Sequence, residues 1–394
     1  MKSLFRGLNR NVFALGATSF FTDFASEMVF PLMPTLLKEI AGDEKKAKAA
    51  LGLVEGTADS LAALLRIVSG WLSDRVGKRK PLVFWGYALS AAVRPLYWAA
   101  TAVGHVLAIR VADRIGKGTR LAARDALIAD SCQPEVRGAA FGLQNGMDNL
   151  GAAIGPLVAT ALIVGGLSLR GVFLWTAVPG ALVLLTIAFF VRDVPRKDGP
   201  PAKLNLSLAP FTGRFRWFVA TVFVFTLANS TDAFLVMRMT EVGIPLKWVP
   251  IVWAGFSALR ALVALPGGAL SDRFPRPWVV LAGWLIYAAT YAGFAFTSTV
   301  LPFLGLLAAY STFSALATSN LRAIVSDQVP AHLRGTAFGI FYFAIGIAAL
   351  PASVAFGAVN ARWGAPAAFL MDAAIALVAC LMLLGVPRAV PAKV

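Results

Sequence analysis

Two groups of ionisable residues stand inside runs that are otherwise apolar. Asp23 and Glu27 lie four residues apart in the first run. Arg110, Asp113, Arg114, Lys117, Arg120, Arg124 and Asp125 crowd a single stretch of the fourth. On a helix, a spacing of four puts Asp23 and Glu27 on one face. Two carboxylates held that close in a low-dielectric site resist joint ionisation. That is the chemistry of a proton carrier, loaded on one side of a barrier and unloaded on the other. At about 100° per residue, the basic positions of the second group fall within a sector of roughly 120°. Charge at membrane depth is costly and faces a bundle interior or a watery cavity. The stripe is therefore expected to line a path, with Arg110, Arg114 and Lys117 as its deep, substrate-binding members. Arg120 and Arg124 lie nearer an end, where a long side chain can reach the surface. The competing reading makes the stripe a structural ion-pair network with Asp113, Asp125, Asp148 or Glu55. For Asp23 and Glu27 it makes a fixed salt bridge to the fourth helix or to Arg66. Glu55 and Asp59 repeat the four-residue spacing towards the outer half of their helix and are read as structural.

The elements that position these groups follow from composition. Of the 394 residues, 58% are hydrophobic and 14% charged, and the mean hydropathy is +0.73. A soluble domain carries roughly 25% charged residues, so that class is excluded. The apolar blocks are long and lack period-2 alternation, which favours helices over barrel strands. Each is near the roughly 20 residues a helix needs to cross a bilayer. Twelve are predicted, α1 to α12, at 12–37, 49–73, 81–102, 105–129, 139–165, 171–191, 218–240, 248–271, 278–297, 300–325, 336–358 and 364–387. The expected class is an all-α membrane protein. The stretch 192–217 has no continuous apolar run and is rich in Pro, Lys and Arg, so it reads as a cytoplasmic linker. It separates an N-terminal bundle, 1–191, from a C-terminal bundle, 218–394.

The net charge of +16 is divided among short loops and helix interiors, which argues against nucleic-acid binding. Nineteen Lys and Arg fall on one side of the twelve-helix arrangement and seven on the other. The positive-inside rule then puts both termini in the cytoplasm of a multi-pass protein of the plasma (inner) membrane. The start, MKSLFRGLNR before an apolar run, imitates a signal peptide. The run is too long and carries Asp23 and Glu27, so a retained first helix is expected. Cys132 and Cys380 suggest no disulfide, and no metal-ligand spacing is present. Neither His-Glu-x-x-His, a P-loop nor a nucleophile elbow occurs, so no enzyme, cofactor or nucleotide-driven pump is expected.

An internal repeat organises the chain. Gly70-Trp71-Leu72-Ser73-Asp74-Arg75 is followed by Arg137-Gly138-Ala139-Ala140-Phe141-Gly142. Gly268-Ala269-Leu270-Ser271-Asp272-Arg273 is followed by Arg334-Gly335-Thr336-Ala337-Phe338-Gly339. The separation is 63 residues from Asp74 to Arg137 and 62 from Asp272 to Arg334. Two motifs in order at matched spacing mean two copies of one unit. Thr22-Asp23 in α1 pairs with Thr231-Asp232 in α7, and the ends of α4 and α10 at Asp130 and Asp327 also correspond. Six helices per copy give both copies the same orientation, related by an axis along the membrane normal. An Asp at the end of a helix, followed by basic residues, can tie neighbouring helix ends together. Gly70, Asp74, Arg75, Gly77 and Arg79, with Asp272 and Arg273, are expected to form a conformational latch. In it Asp74 would face the partly positive N-terminus of α11.

These motifs resemble the major facilitator superfamily over essentially the whole chain. The family's loop between helices 2 and 3 reads Gly-x-Leu-Ala-Asp-Arg-x-Gly-Arg-Lys. Gly70, Leu72, Asp74, Arg75, Gly77, Lys78 and Arg79 occupy its positions, with Ser73 in place of Ala. In the second copy Pro275 replaces the later Gly. The family's functional arginine in helix 4 maps to Arg110 or Arg114. The Gly-x-x-x-Gly-Pro of its antiporter branches maps to Gly151, Gly155 and Pro156, without the further glycines (Leu157-Val158-Ala159 follow). The resemblance implies twelve transmembrane helices in two pseudo-symmetric six-helix bundles, and transport by alternating access.

The C-terminal copy is more neutral and aromatic. Asn229 and Asp232 in α7, Tyr310 in α10 and Tyr342 in α11 are its expected substrate contacts, and Arg238, Trp253, Arg260, Asn320 and Arg322 are further polar or aromatic positions there. Together these features suggest a monomeric, proton-coupled exporter, with protons, the lipid bilayer and a small-molecule substrate as its partners. A small organic anion or zwitterion is preferred because the stripe is basic. The alternatives are a multidrug exporter of lipophilic cations and a divalent-metal exporter. A non-transporting receptor would need no charged midplane.

Overall fold

The computed structural model describes residues 9–75, 78–132, 137–194, 208–329 and 333–385. Every regular element among them is helical. α1 joins Arg10–Val29, a 3-10 turn at Phe30–Leu32 and Met33–Ala41. α2 is Glu44–Arg75, and α3 is Lys80–Val93 with a 3-10 end at Arg94–Ala99. α4 is Val103–Asp130, α5 is Arg137–Val164, and α6 joins Leu169–Trp175 to Ala177–Phe190. α7 has two parts, Gly213–Ala228 and Ala233–Glu241. α8 to α12 are Val249–Arg273, Arg276–Phe296, Val300–Gln328, Arg334–Trp363 and Ala365–Leu384.

All twelve predicted helices are present, and the main departure is in α7. Its apolar pattern predicts a continuous helix over 218–240, but the backbone leaves helical geometry at 229–232. Asn229, Ser230, Thr231 and Asp232 occupy the gap, and short polar side chains like these compete with the helix for backbone groups. The freed groups are satisfied locally. Thr231 N–H donates to Ser353 Oγ (3.2 Å), Ala233 N–H to Thr231 Oγ1 (3.4 Å), and the Tyr287 hydroxyl to the Ala228 carbonyl (2.6 Å).

Among the described residues, six helices are long and apolar enough to cross a membrane by composition alone. They are in α5, α6, α7, α9, α11 and α12. Of the rest, α2, α3 and α4 carry most of the buried charge (Lys48 and Glu55, Arg94, and Arg110 to Arg124), so hydropathy is lowered mainly in the first bundle. That bundle packs α1 on α5 and α6, and α4 on α2 and α3. The second packs α10 on α8 and α9, and α12 on α7 and α9. The bundles meet where α2 lies on α11 and α5 on α8.

Lipid tails are as apolar as leucine, so helices here associate by close approach rather than by escape from water. Gly52 and Gly56 supply it for α2. A Cβ on Gly52 would overlap the Ser353 carbonyl, and one on Gly56 would meet Ser353 Cβ at 2.8 Å. Within the first bundle, Gly151 and Gly155 seat α5 on the α1 backbone at Phe20 and Phe24.

The repeat is visible in ion pairing. Arg79 at the start of α3 pairs with Asp130 at the end of α4, and Arg276 at the start of α9 pairs with Asp327 at the end of α10. Both pairs are 51 residues apart in sequence. Both lie at the end carrying the α6–α7 connection, the linker end, where Asn11 also bonds Ser131 Oγ and the Arg192 carbonyl.

Candidate functional site

A cavity runs between the bundles in three adjoining lobes. The lobe nearest the linker end has a volume of about 490 Å³, the central lobe about 470 Å³ and the deep lobe about 330 Å³. The first two share Lys117, Leu121, Arg322 and Tyr342. The second and third share Asp59, Thr226, Asn229, Phe313 and Ile345. The walls come from the linker-side parts of α1, α4, α5, α10 and α11, and from α7 where it breaks. Among the described residues, polar links between bundles lie at mid-depth or beyond, away from the linker. Ser60 Oγ donates to the Gly346 carbonyl (2.5 Å), Trp253 Nε1 to Glu27 Oε2 (2.9 Å), and Lys48 Nζ pairs with Glu241 (2.9 Å). Among the described residues the bundles are therefore tied together at mid-depth and at the end opposite the linker.

α4 divides its cations into two sets. Arg110 is drawn away from the cavity. Its Nη2 sits 2.6 Å from Glu55 Oε2, and both groups are almost fully buried. Asp113 takes Arg94 of α3 at 3.0 Å and Arg114 at 3.6 Å, and Arg94 also reaches the Thr22 carbonyl. Arg120 lies over the Tyr87 ring and bonds Ser90 Oγ. Arg124 pairs with Asp125. Arg114 keeps a cavity face, and Lys117 lines two lobes with no carboxylate within 4 Å among the described residues. Arg322 of α10 faces Lys117 from the other bundle across both those lobes.

The carboxylates are also sorted. Asp23 lines the linker-end lobe with Asp148, which is bonded by Gln144. Glu27, one turn deeper, is capped by Trp253 of the opposite bundle. The structure thus keeps the two on one helix face but in different surroundings. Asp59, expected to be structural, lines both the central and deep lobes. Glu55, its neighbour, is indeed held in an ion pair. In the deep lobe Asp232 accepts from the Tyr310 hydroxyl (2.7 Å), and Arg260 approaches it at 3.4 Å.

Of the expected substrate contacts, Arg114, Lys117, Asn229, Asp232, Tyr310 and Tyr342 line the cavity, while Arg110 lines none of its three lobes. Gly151 and Gly155 pack α5 on α1, and Pro156 lies inside α5, its carbonyl receiving Thr160 Oγ1. Of the expected latch, Arg79 ties α3 to α4. Gly70 lies in the helical backbone of α2, while Gly77 and the side chains of Asp74, Arg75, Asp272 and Arg273 lie outside the described residues. Sequence reasoning missed Arg94 and gave Arg260 no role. A lone arginine in an apolar run was the available signal for both, since such a charge needs a partner.

Comparison with known proteins agrees with this architecture. The profile of the Major Facilitator Superfamily matches residues 15–259 and 239–394. An uncharacterised MFS-type transporter of Methanocaldococcus jannaschii is 30% identical over 386 residues, covering 96% of this chain and 95% of that one. The class C tetracycline resistance protein of Escherichia coli is 28% identical over 322 residues, 77% of each chain. Among solved structures, an inward-facing, occupied bacterial homologue of the human lysosomal transporter Spinster superposes with a TM-score of 0.77 at 16% identity, covering 95% of this chain and 96% of that one. With two six-helix bundles enclosing a polar cavity, and a family profile spanning nearly all of the sequence, the chain belongs to the Major Facilitator Superfamily of membrane transporters.

Proposed function

We propose that the protein is a proton-coupled antiporter that exports a small organic anion or zwitterion across the plasma membrane, acting as a monomer. The observation that carries this reading is the convergence of Arg114 and Lys117 from one bundle with Arg322 from the other on a single lobe. Cations from both bundles around one space attract an anion and let both bundles grip it. Asp59 borders the same lobe and suits the ammonium of a zwitterion. The positive-inside rule assigns the linker end to the cytoplasm, so the lobe lined by Asp23 and Lys117 lies on the side from which an exporter would load its cargo. Asp23 is the proton acceptor within reach of the cavity. Glu27 is its deeper partner, covered until the bundles separate at Trp253. Asp74, Arg75, Gly70, Gly77, Asp272 and Arg273 are proposed to complete the latch at the linker end with Arg79.

A second reading, export of lipophilic cations, is favoured by the aromatic side of the central lobe, with Phe225, Phe313, Phe341 and Tyr342 beside Asp59. The two are separated by thermal denaturation of the detergent-purified protein with organic anions, lipophilic cations and divalent metals at pH 6 and pH 8. A ligand that prefers the folded state raises the midpoint with its occupancy. Stabilisation by anions is expected, and Arg114→Gln should remove it. Stabilisation by lipophilic cations, lost in Asp59→Asn and retained in Arg114→Gln, would replace the anion reading.

A further inference from the structure

α12 buries a carboxylate that the reading above does not use. Asp372 is 0% exposed, about two turns into Ala365–Leu384. Its Oδ2 accepts from Ser230 Oγ at 2.7 Å, and its Oδ1 has no hydrogen-bond partner. Among the described residues no Lys, Arg or His lies within ion-pair distance of it.

Apart from Asp232, which is already paired with Arg260, the groups that the elements packed on α12 bring close are neutral. From α9, Tyr287 and Tyr291 lie near enough to feel its charge, and the Tyr287 hydroxyl is committed to the Ala228 carbonyl. From α11, Ser353 Oγ is taken by Thr231 N–H. From α7 come Ser230 and, two residues on, Asp232, which is bonded by Tyr310. An ionised carboxylate with one oxygen unpartnered and no cation is strongly disfavoured in such a place. A protonated one is not.

A path for the proton exists. Ser230 lies in the break of α7 and lines the deep lobe of the cavity, while its hydroxyl reaches Asp372. We propose that Asp372 is a second proton-binding site, lodged in the C-terminal bundle and loaded from the cavity through the Ser230 hydroxyl. A hydronium ion in the cavity gives a proton to Ser230 Oγ and is left as water, while the serine's own O–H bond breaks and that proton bonds to Asp372 Oδ2. The reverse sequence unloads the site. The serine ends unchanged, and the carboxylate becomes a neutral acid. Because the same hydroxyl belongs to the α7 break, the protonation state of Asp372 is read by the backbone that presents Asp232 to the cavity.

Infrared difference spectroscopy on the purified full chain tests this without knowledge of the substrate. A carbonyl band of a protonated carboxyl is expected at pH 7, lost in Asp372→Asn and kept in Asp23→Asn. Should the amide variant not fold, Asp372→Glu, which keeps a carboxyl and shifts the band, carries the same assignment. In Ser230→Ala the band should persist while its shift on transfer to D2O slows severalfold, and Ser230→Thr should restore the rate. A band unaffected by Asp372→Asn and unshifted by Asp372→Glu would overturn the site. An exchange rate unaltered by Ser230→Ala would overturn the path. Loss of the band on adding sodium chloride but not potassium chloride would assign the site to a metal cation instead.

Discussion

The end opposite the linker is held shut by charge as well as by close helix packing, and Lys48 is the residue on which this depends. Its Nζ lies 2.9 Å from Glu241 on α7 and 3.0 Å from Glu44 on its own helix. Only the first of these contacts crosses between bundles. At an effective dielectric of about 20, unit charges at that 2.9 Å separation attract by about 6 kcal/mol. Opening returns both groups to water and recovers most of this. The side chains are 11% and 18% exposed, which places the pair between a surface bridge and a buried one, so a net contribution of about 2 kcal/mol is reasonable. Glu241 is not stranded when Lys48 is removed, because Arg238 remains 2.9 Å away. Lys48→Met should therefore shift the equilibrium between the two access states by about thirtyfold, at about 1.4 kcal/mol per factor of ten. Spin labels at the exposed positions 45 on α2 and 240 on α7 report this by double electron–electron resonance, as growth of a longer-distance population. Adding Glu241→Gln should change little more, and the control Lys46→Met should change nothing. A distance distribution untouched by Lys48→Met, or equally altered by Lys46→Met, would refute the gate.

Two further outcomes follow from the packing. Asp113→Asn removes the charge that holds Arg94 and Arg114, leaving Arg94 buried without compensation. A loss of about 3 kcal/mol is expected, read as a lower denaturation midpoint and partly recovered by adding Arg94→Gln. Gly52→Leu sets a side chain against the Ser353 carbonyl on α11. Overpacking of about 1–3 kcal/mol in this state only should lengthen the distance between labels at 45 and 240, and an unchanged distance would show that α2 and α11 are not the contact that opens.

The fold was legible because its signals are periodic and redundant. Apolar blocks of membrane length, a linker without one, and two motifs at matched spacing each report the same twelve-helix duplication. The site was legible only as a face. The four-residue spacing of Asp23 and Glu27 identified a shared side of α1, but not that Trp253 from the other bundle covers one and leaves the other at the cavity. Helical periodicity likewise grouped Arg110 with Arg114. Their fates differ because Glu55 of α2 lies opposite the first and Asp113 beside the second. Glu55 and Asp59 diverge for the same reason, since one meets an arginine and the other a cavity. The α7 break was misread because an apolar average hides four consecutive polar residues when no glycine or proline marks them. Partner choice across 50 or more residues is a property of packing, and no local pattern encodes it.

The glycines of α5 connect these observations. Gly155 is in contact distance of the Phe24 backbone, and a Cβ there would also meet Glu27 Cβ at 3.3 Å. α5 and the acidic face of α1 are thereby closely packed into one wall. Trp253 of α8 holds that wall from the opposite bundle by one hydrogen bond to Glu27. Any motion that parts the bundles at this depth must uncover Glu27 to the side that opens. Any motion that closes the linker end must cover Asp23, which lines the lobe lying there. Under the proposed function, the two carboxylates are therefore exposed in alternation by the same displacement that moves the cargo. The coupling needs no separate relay between proton and substrate, because the helix that carries the carboxylates is also part of the cavity wall.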